Sequence, residues 1–417
     1  MREKTGNTVK LILLMVIMGS FAGVVVWGFL KLVALCSGCI WNMLPEKTGI
    51  FYMPVVFCTA GGLIVGILHK RFGDYPEELE KVMKKIEKDK HYDYHPMFVM
   101  LLCAFIPLVC GASVGPEAGL TGIIAALCYW VGDNVSFAKQ NTALFSEIGE
   151  AVTLSQLFRS PLFGIMAVEE EKRETVLGMS KGNKVLLYSV STISAFFAAW
   201  LLGTLFGAAM EGFPAFSEVY MEKRDFLFLL VYIPAGLILY LLFELCEKLT
   251  LTLGQRMPAI IRETVCGAVI GFAGVVLPLA MFSGEDQMKD LMETFVSYSP
   301  IFLLGICLVK LFMTTLSINL GMKGGHFFPL IFSCACMGFA MTLFFFPEDP
   351  VKHATFAAAA VNGTVLGAQL KKPFATALLL LLCFPPRMLF IIFFCAAVGK
   401  SVAGLCSKKS ERPGGTG

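Results

Sequence analysis

Apolar runs recur along almost the whole chain. They lie at about 9–41, 50–69, 97–114, 118–131, 140–168 and 184–208, and again at 224–253, 257–282, 299–320, 327–346, 354–370, 373–384 and 386–405. A bilayer offers no water to backbone N–H and C=O groups, so segments of this kind must satisfy them internally, as a helix does within a single segment. With about 20 residues per crossing, a chain of 417 residues has room for roughly ten spans and little left for a soluble domain. Hydrophobic residues make up 56% and charged residues 16%, with a mean hydropathy of +0.73. The fold class expected is an all-α polytopic membrane protein.

The runs fall into two matching series. Each opens with a long run, 9–41 and 224–253, followed by a second, 50–69 and 257–282. A short charged amphipathic piece comes next, 73–79 in one series and 284–290 in the other. A further span then reaches a glycine-rich break, Gly115-Pro116-Glu117 in the first and Gly324-Gly325-His326-Phe327-Phe328-Pro329 in the second. Later, Ser160-Pro161 and Lys372-Pro373 each open another apolar helix. Gly115 and Pro161 are 46 positions apart, and Gly325 and Pro373 are 48 apart. The agreement argues for an internal repeat, with halves at 8–210 and 223–407 inside one membrane domain, 1–417. An odd number of crossings per half makes the repeat inverted and brings the broken helices together near the midplane. The polar residues 408–417 read as a disordered tail.

Residues 111–122 place one carboxylate, Glu117, in an otherwise uncharged stretch of membrane character. A charge at bilayer depth costs at least ~2.5 kcal/mol on insertion scales, so it faces a cavity or an ion path. Interrupted backbone at that depth survives only where protein or a water-filled cavity covers it. A helix starting near Pro116 aims its first amides, and the positive end of its dipole, at whatever binds there. Helix start, glycine-exposed amides and a titratable acid together point to an anion site with a proton-sensitive plug. The plainer reading makes Glu117 a structural acid bonded to the backbone of the helix start.

Other classes find less support. A net charge of +3, spread over short loops, gives no nucleic-acid surface. The 14 cysteines are scattered through apolar runs without disulfide or zinc spacing, so no metal or cofactor is expected. Residues 1–10 carry Arg2, Lys4 and Lys10 and run into an apolar stretch too long for a cleavable signal. With Lys408, Lys409 and Arg412 at the other end, the positive-inside rule puts both termini in the cytoplasm. Short loops and compact length suggest a bacterial inner membrane.

Three segments, in order, resemble the CLC family of chloride channels and chloride/proton antiporters. Gly115-Pro116-Glu117-Ala118-Gly119 is similar to that family's Gly-x-Glu-Gly-Pro segment. Pro161-Leu162-Phe163-Gly164-Ile165, leading to Glu169-Glu170-Glu171, is similar to its Pro-Leu-x-Gly-Ile run, and Gly324 to Pro329 to its Gly-Gly-x-Phe-x-Pro segment. The likeness covers roughly residues 8–405. It implies a homodimer in the lipid bilayer that moves chloride or a related small anion, with protons as the second partner. It makes Glu117 the external gate, and Glu171 or its neighbour Glu170 the internal proton-transfer acid. It assigns anion contacts to backbone amides at Gly115, Ala118, Gly119, Gly325, His326, Phe327 and Phe328. The family's Gly-Ser-Gly-x-Pro-Glu turn, which forms an inner site, matches only at Gly73-Asp74-Tyr75-Pro76, where no serine is present. No tyrosine follows Tyr298, so the pore tyrosine of the family is missing too. Pro116 stands in place of the usual basic residue and Gly119 in place of the usual proline.

Several residues carry two readings. Glu169–Glu171 suit a solvated helix end as well as a proton site. Glu147 and Glu150 line a vestibule or pair with Arg159, His326 supports the glycine turn or carries protons, and Asp74 caps a helix. The run 81–90 reads as a solvated amphipathic face. Ser113 with His326 or His353 would be the pair of an intramembrane serine protease resembling the rhomboids, although a serine nucleophile needs a base within hydrogen-bond reach. A zinc protease finds less support still, since no His-Glu-x-x-His occurs. The absent serine and tyrosine also raise a non-conducting membrane scaffold as an alternative function.

Overall fold

Proline begins four of the α-helices, at Pro161, Pro300, Pro350 and Pro373, where its fixed φ suits the first turn and its missing N–H costs no helical bond. The computed structural model describes residues 2–43, 49–77, 93–134, 142–158, 160–169, 181–208, 214–216 and 221–410. The first half holds α1 (Arg2–Gly38), α2 (Met53–Phe72), α3 (Met97–Val109), α4 (Glu117–Asn134), α5 (Thr142–Leu157), α6 (Pro161–Glu169) and α7 (Lys181–Phe206). The second holds α8 (Lys223–Gln255), α9 (Ala259–Val276), α10 (Glu285–Thr294), α11 (Pro300–Asn319), α12 (Phe327–Phe345), α13 (Pro350–Leu370), α14 (Pro373–Leu380) and α15 (Leu389–Ser410). Among the described residues no strand forms, and eight helices are long and apolar enough to cross a membrane.

The repeat is visible in this order. Leaving α10 aside, long α1 corresponds to long α8, and the nine- and eight-residue pieces α6 and α14 fall at matching places. Gly111 and Gly321 take the same left-handed conformation, φ 79° and 95°, each six positions before a helix start. Side chains other than glycine rarely adopt that conformation, so each half needs glycine there.

The chain forms two compact units. One comprises Met1–Gly212, Gly254–Pro278 and Ser317–Gly325. Its closest helix pair is α2 and α9. Gly62 and Gly66 on α2 face Glu263 and Ile260, and Gly267 and Gly271 on α9 face Cys58 and Val55, so that a methyl at any of the four would strike the opposing backbone. Lipid tails are as apolar as leucine, so this close approach through paired small-xxx-small patterns is what draws two membrane helices together. In the same unit α1 lies on α7, where Ser191 Oγ donates to the Met15 carbonyl at 3.1 Å. Glu147 is buried and accepts from Tyr188 at 2.8 Å and Lys184 at 3.3 Å. Its cation is therefore Lys184, brought across from α7, while Arg159 lies outside the described residues.

The other unit comprises Phe213–Leu253, Leu279–Leu316 and His326–Gly417. Its core is α13, buried almost continuously from Ala354 to Ala368 and packed by α12 and α15. Phe216 stacks on Phe384 at 4.4 Å and Phe295 on Phe339 at 4.4 Å. Lys310 is wholly buried here, donating to the carbonyls of Met281 at 2.5 Å and Phe282 at 2.7 Å. Those carbonyls belong to a turn in which Phe282 has φ 57°, so the ammonium supplies the donor the turn lacks.

Candidate functional site

Helix α3 stops after 13 residues, too few to cross a bilayer, because Pro107 and the Gly111 turn interrupt it. The chain then passes without helix through Val114 and Gly115 before α4 begins at Glu117. The segment after α11 repeats this path from Gly321 to Gly325. The two breaks meet. The Gly115 amide donates to the Gly325 carbonyl at 2.7 Å, and the Gly325 amide returns the bond to Gly115 at 2.6 Å. Each break thus satisfies backbone groups of the other where no water is at hand.

Glu117 lies over this bridge. Its side chain is buried, and a methyl on either Gly115 or Gly325 would overlap its carboxyl group. Two glycines 210 positions apart in sequence therefore make the cradle that this carboxyl fills. The amides of Glu117, Ala118 and Gly119 form the first turn of α4, where N–H groups without intrahelical partners point out of the helix end. Gly119 also has a packing role, because a side chain there would meet Ala104 on α3. Thr121 closes the turn by donating to the Glu117 carbonyl at 2.9 Å. In the second unit, His326 precedes α12 and lies in tilted ring contact with Phe327 at 4.5 Å and Phe243 at 5.7 Å. Phe327 and Phe328 form the first turn of that helix.

The Gly73-Asp74-Tyr75-Pro76 turn sits in a charged cluster that the sequence reading missed. Asp74 Oδ2 pairs with Lys323 at 2.8 Å, and its Oδ1 lies 3.5 Å from both Arg262 and His69. His69 Nδ1 faces Glu263 Oε1 at 2.9 Å, and Arg262 binds that same oxygen at 2.6 Å. Burial pushes the Asp74 carboxyl up, but Lys323, through its charge and hydrogen bond, with His69 and Arg262, outweighs this and holds it below its ordinary value. The expectation that Asp74 acts as a helix cap is replaced by this ion-paired role. Its partners come from α9 and from the turn after α11. His69, Asp74 and Glu263 each place a ligand atom within 4.8 Å of the others. Arg262 and Lys323 already fill the cation positions beside both carboxylates, so the trio is an ion-pair network and not a metal centre.

Glu170, Glu171 and the 81–90 run lie outside the described residues. Glu169 ends α6, whose start is tied down by Ser160 accepting from the Phe163 amide at 3.4 Å. Ser113 is buried in the break before Glu117. His353, named as a base for it, is committed to Asp225 at 2.6 Å and stacks on Phe346 at 3.9 Å.

Residues 61–404 match the family model described as voltage gated chloride channel. The chain is 23% identical over 338 residues to a protein of Salmonella paratyphi A named as an ion-transport protein, YfeO, covering 77% of this chain and 78% of that one. The YfeO protein of Salmonella newport gives the same figures. Among solved structures it superposes on a slow cyanobacterial Cl−/H+ antiporter with a TM-score of 0.77 at 16% identity, over 96% of this chain and 97% of the other. A CLC-type fluoride/proton antiporter gives 0.72 at 19% identity over 95% of both chains. At such identities the likeness to solved structures establishes the fold. The family match spans most of the chain, both breaks included, and the chain belongs to the voltage-gated chloride channel (CLC) family.

Proposed function

We propose that this membrane protein carries chloride or a related small anion by a proton-linked exchange in which Glu117 is the gate. The observation that carries the reading is the seat of the Glu117 carboxyl on the Gly115–Gly325 bridge. An ionised carboxylate there occupies the place of an anion. Two like charges cannot share one cradle, so an anion enters when the acid is neutralised or swings out. The amides of Ala118 and Gly119, and those of Phe327 and Phe328 just beyond Gly325 in the chain, are the donors proposed for it. Amide dipoles bind a halide without the trapping strength of a full charge. Glu171, or Glu170, is the proposed inner proton acid. A homodimer in a bacterial inner membrane, with both termini cytoplasmic, completes the reading. Chloride and fluoride are the substrates to try first, because similar structures include antiporters of both.

The test is anion efflux from proteoliposomes recorded together with pH, for wild type and Glu117→Gln. Opposed proton movement that the substitution abolishes supports exchange gated by Glu117. Efflux without protons, altered only in its pH dependence, makes the protein a gated channel. If folded protein moves neither chloride nor fluoride, the transport reading fails and the scaffold alternative leads.

A further inference from the structure

His69 lies near the end of α2, buried, with both ring nitrogens engaged. Its Nε2 is 2.6 Å from the Tyr75 carbonyl, which can only accept, so Nε2 carries a hydrogen. Its Nδ1 is 2.9 Å from Glu263 Oε1. A neutral ring with its hydrogen on Nε2 would turn a lone pair toward a carboxylate oxygen. Two acceptors at that distance need a proton between them, carried by the imidazole or by the acid. The other carboxyl oxygen, Glu263 Oε2, is buried and has no hydrogen-bond partner among the described residues.

We propose that His69 and Glu263 together hold one exchangeable proton and form a second proton-binding station, distinct from Glu117 and from the glutamates at the end of α6. Among the described residues, the groups that face the pair come from several elements. Asp74 and the Tyr75 carbonyl come from the turn after α2, Arg262 from α9, and Lys323 from the break, while the Cys103 and Cys266 thiols lie close by. Arg262 and Lys323 balance Glu263 and Asp74, so the cluster is neutral without the extra proton and carries +1 with it. Asp74 is more than half exposed, at 57%, and lies 3.5 Å from Nδ1, which gives water a way to deliver and remove the proton.

The station is wired to the gate by five residues of backbone. Glu263 packs against Gly321, where a methyl would overlap its carboxyl, and Glu117 packs in the same way against Gly325. Lys323, midway between, holds Asp74 with both its ion pair and a 3.0 Å bond to the Asp74 carbonyl. From Gly321 to Gly325 the chain spans at most ~14 Å. Both α1 and α2 are long and apolar enough to cross a membrane, and in the proposed topology two such crossings put the 69–76 turn on the side where the chain starts. A unit charge ~10 Å from an anion, at an effective dielectric of ~20, changes the anion's occupancy roughly tenfold. Proton loading from that side thus sets how readily an anion reaches the cradle.

The binding of the proton is independent of the transport reading; only its effect on flux rests on it. The direct test is 15N-histidine NMR of the full chain in lipid nanodiscs, with the His69 signal among the five histidines identified by its loss in His69→Gln. The expected result is a doubly protonated His69 that becomes the neutral Nε2–H form in Glu263→Gln, or a protonated carboxylic acid band in the infrared that Glu263→Gln removes. A neutral His69 beside an ionised Glu263 from pH ~5 to ~8 overturns the proposal. Should Glu263→Gln fail to fold, His69→Gln provides the reciprocal measurement on the Glu263 acid band. In flux assays the roughly tenfold dependence on pH at the 69–76 face should fall below about twofold in Glu263→Gln and persist in Glu117→Gln. A detected proton with no anion flux in any variant leaves the station standing and sinks the transport reading. Flux that is indifferent to Glu263→Gln, with no proton detected, sinks the station alone.

Discussion

Gly325→Ala isolates the contact on which the gating proposal rests. Gly325 has no positive φ, so alanine meets no backbone penalty, and the atoms nearest the added methyl all belong to Glu117. Overpacking of this kind costs about 1–3 kcal/mol. The penalty falls on the state with Glu117 seated, and the entropy of the unfolded chain is common to both folded states and cancels, so the equilibrium moves roughly five- to 150-fold toward the state with the side chain withdrawn. The assay is anion efflux across a range of pH, with Glu117 seated in the starting structure. Gly325→Ala should raise efflux and flatten its dependence on pH at the face opposite the 69–76 turn toward that of Glu117→Gln, while the dependence at the 69–76 face persists. A double-mutant cycle with Glu117→Ala separates this from general damage, because the truncation removes the two nearest atoms, Oε2 and Cδ, and leaves only the Cβ at 2.8 Å. The thermal destabilisation caused by Gly325→Ala should be reduced in the Glu117→Ala background, a coupling of at least ~0.5 kcal/mol. Equal destabilisation in both backgrounds, with an unchanged pH profile, would refute the reasoning.

Gly62→Ala drives a methyl into the Glu263 backbone carbonyl and should lower the melting temperature in detergent, at a cost of about 1–3 kcal/mol. Gly28→Ala, where nothing lies within 4 Å, is the control and should be neutral or slightly stabilising. Lys310→Met leaves the Met281 and Phe282 carbonyls without their donor; each buried loss costs about 1–3 kcal/mol, offset in part by removing a buried ammonium, and a clear fall in thermal stability is expected. Asp74 has its folded pKa held below the ordinary 3.8, so its stabilising contribution is complete above that value and disappears as pH falls through the lower folded one. Melting curves should therefore show wild type above Asp74→Asn at pH ~6, with the gap closing below pH ~4.

What could be read from the chain follows from how local each signal is. Glycine and proline interrupting apolar runs mark both breaks, because backbone at membrane depth has few ways to be satisfied, and the near-equal spacings expose the repeat. Glu117 is legible for the same reason: a lone charge beside a break is costly. The pairing of Gly115 with Gly325 is not written in either segment, since both read only as turns. The charged cluster is harder still, because His69 and Glu263 are 194 positions apart. A signal for it does exist. Arg262 and Glu263 sit inside the 257–282 run, and Lys310 inside 299–320, as conspicuous in their surroundings as Glu117 is. The cost of a buried charge applies to them equally, and only attention confined to charges near glycine breaks passes over them. Their partners, by contrast, follow from packing. The small-xxx-small faces of α2 and α9 bring His69 against Glu263, and nothing in either helix alone specifies the other.

The same arrangement bears on how an anion path works without the serine and tyrosine that the family usually places on it. A fully positive, unpaired lysine along such a path would bind an anion too tightly for it to leave. Here Lys323 is held by Asp74 and Arg262 by Glu263, so the cations are present and largely neutralised. The donors proposed for the anion are then backbone, the amides at the start of α4, with a carboxylate standing where the family turn has a hydroxyl. Discrimination among anions by backbone dipoles depends on ion size and hydration more than on a dedicated side chain. In that proposal the pairing of Asp74 with Lys323 sets how much net charge the anion meets. Asp74→Asn removes the carboxylate and leaves the Lys323 ammonium without its ion pair, two residues before Gly325 and the cradle it helps to form. The expected outcome is tighter chloride binding by titration calorimetry together with slower release in efflux, opposite in sign to the loss of Glu117. Chloride affinity equal to that of wild type would show that the ion pair shapes the turn without setting the charge along the path.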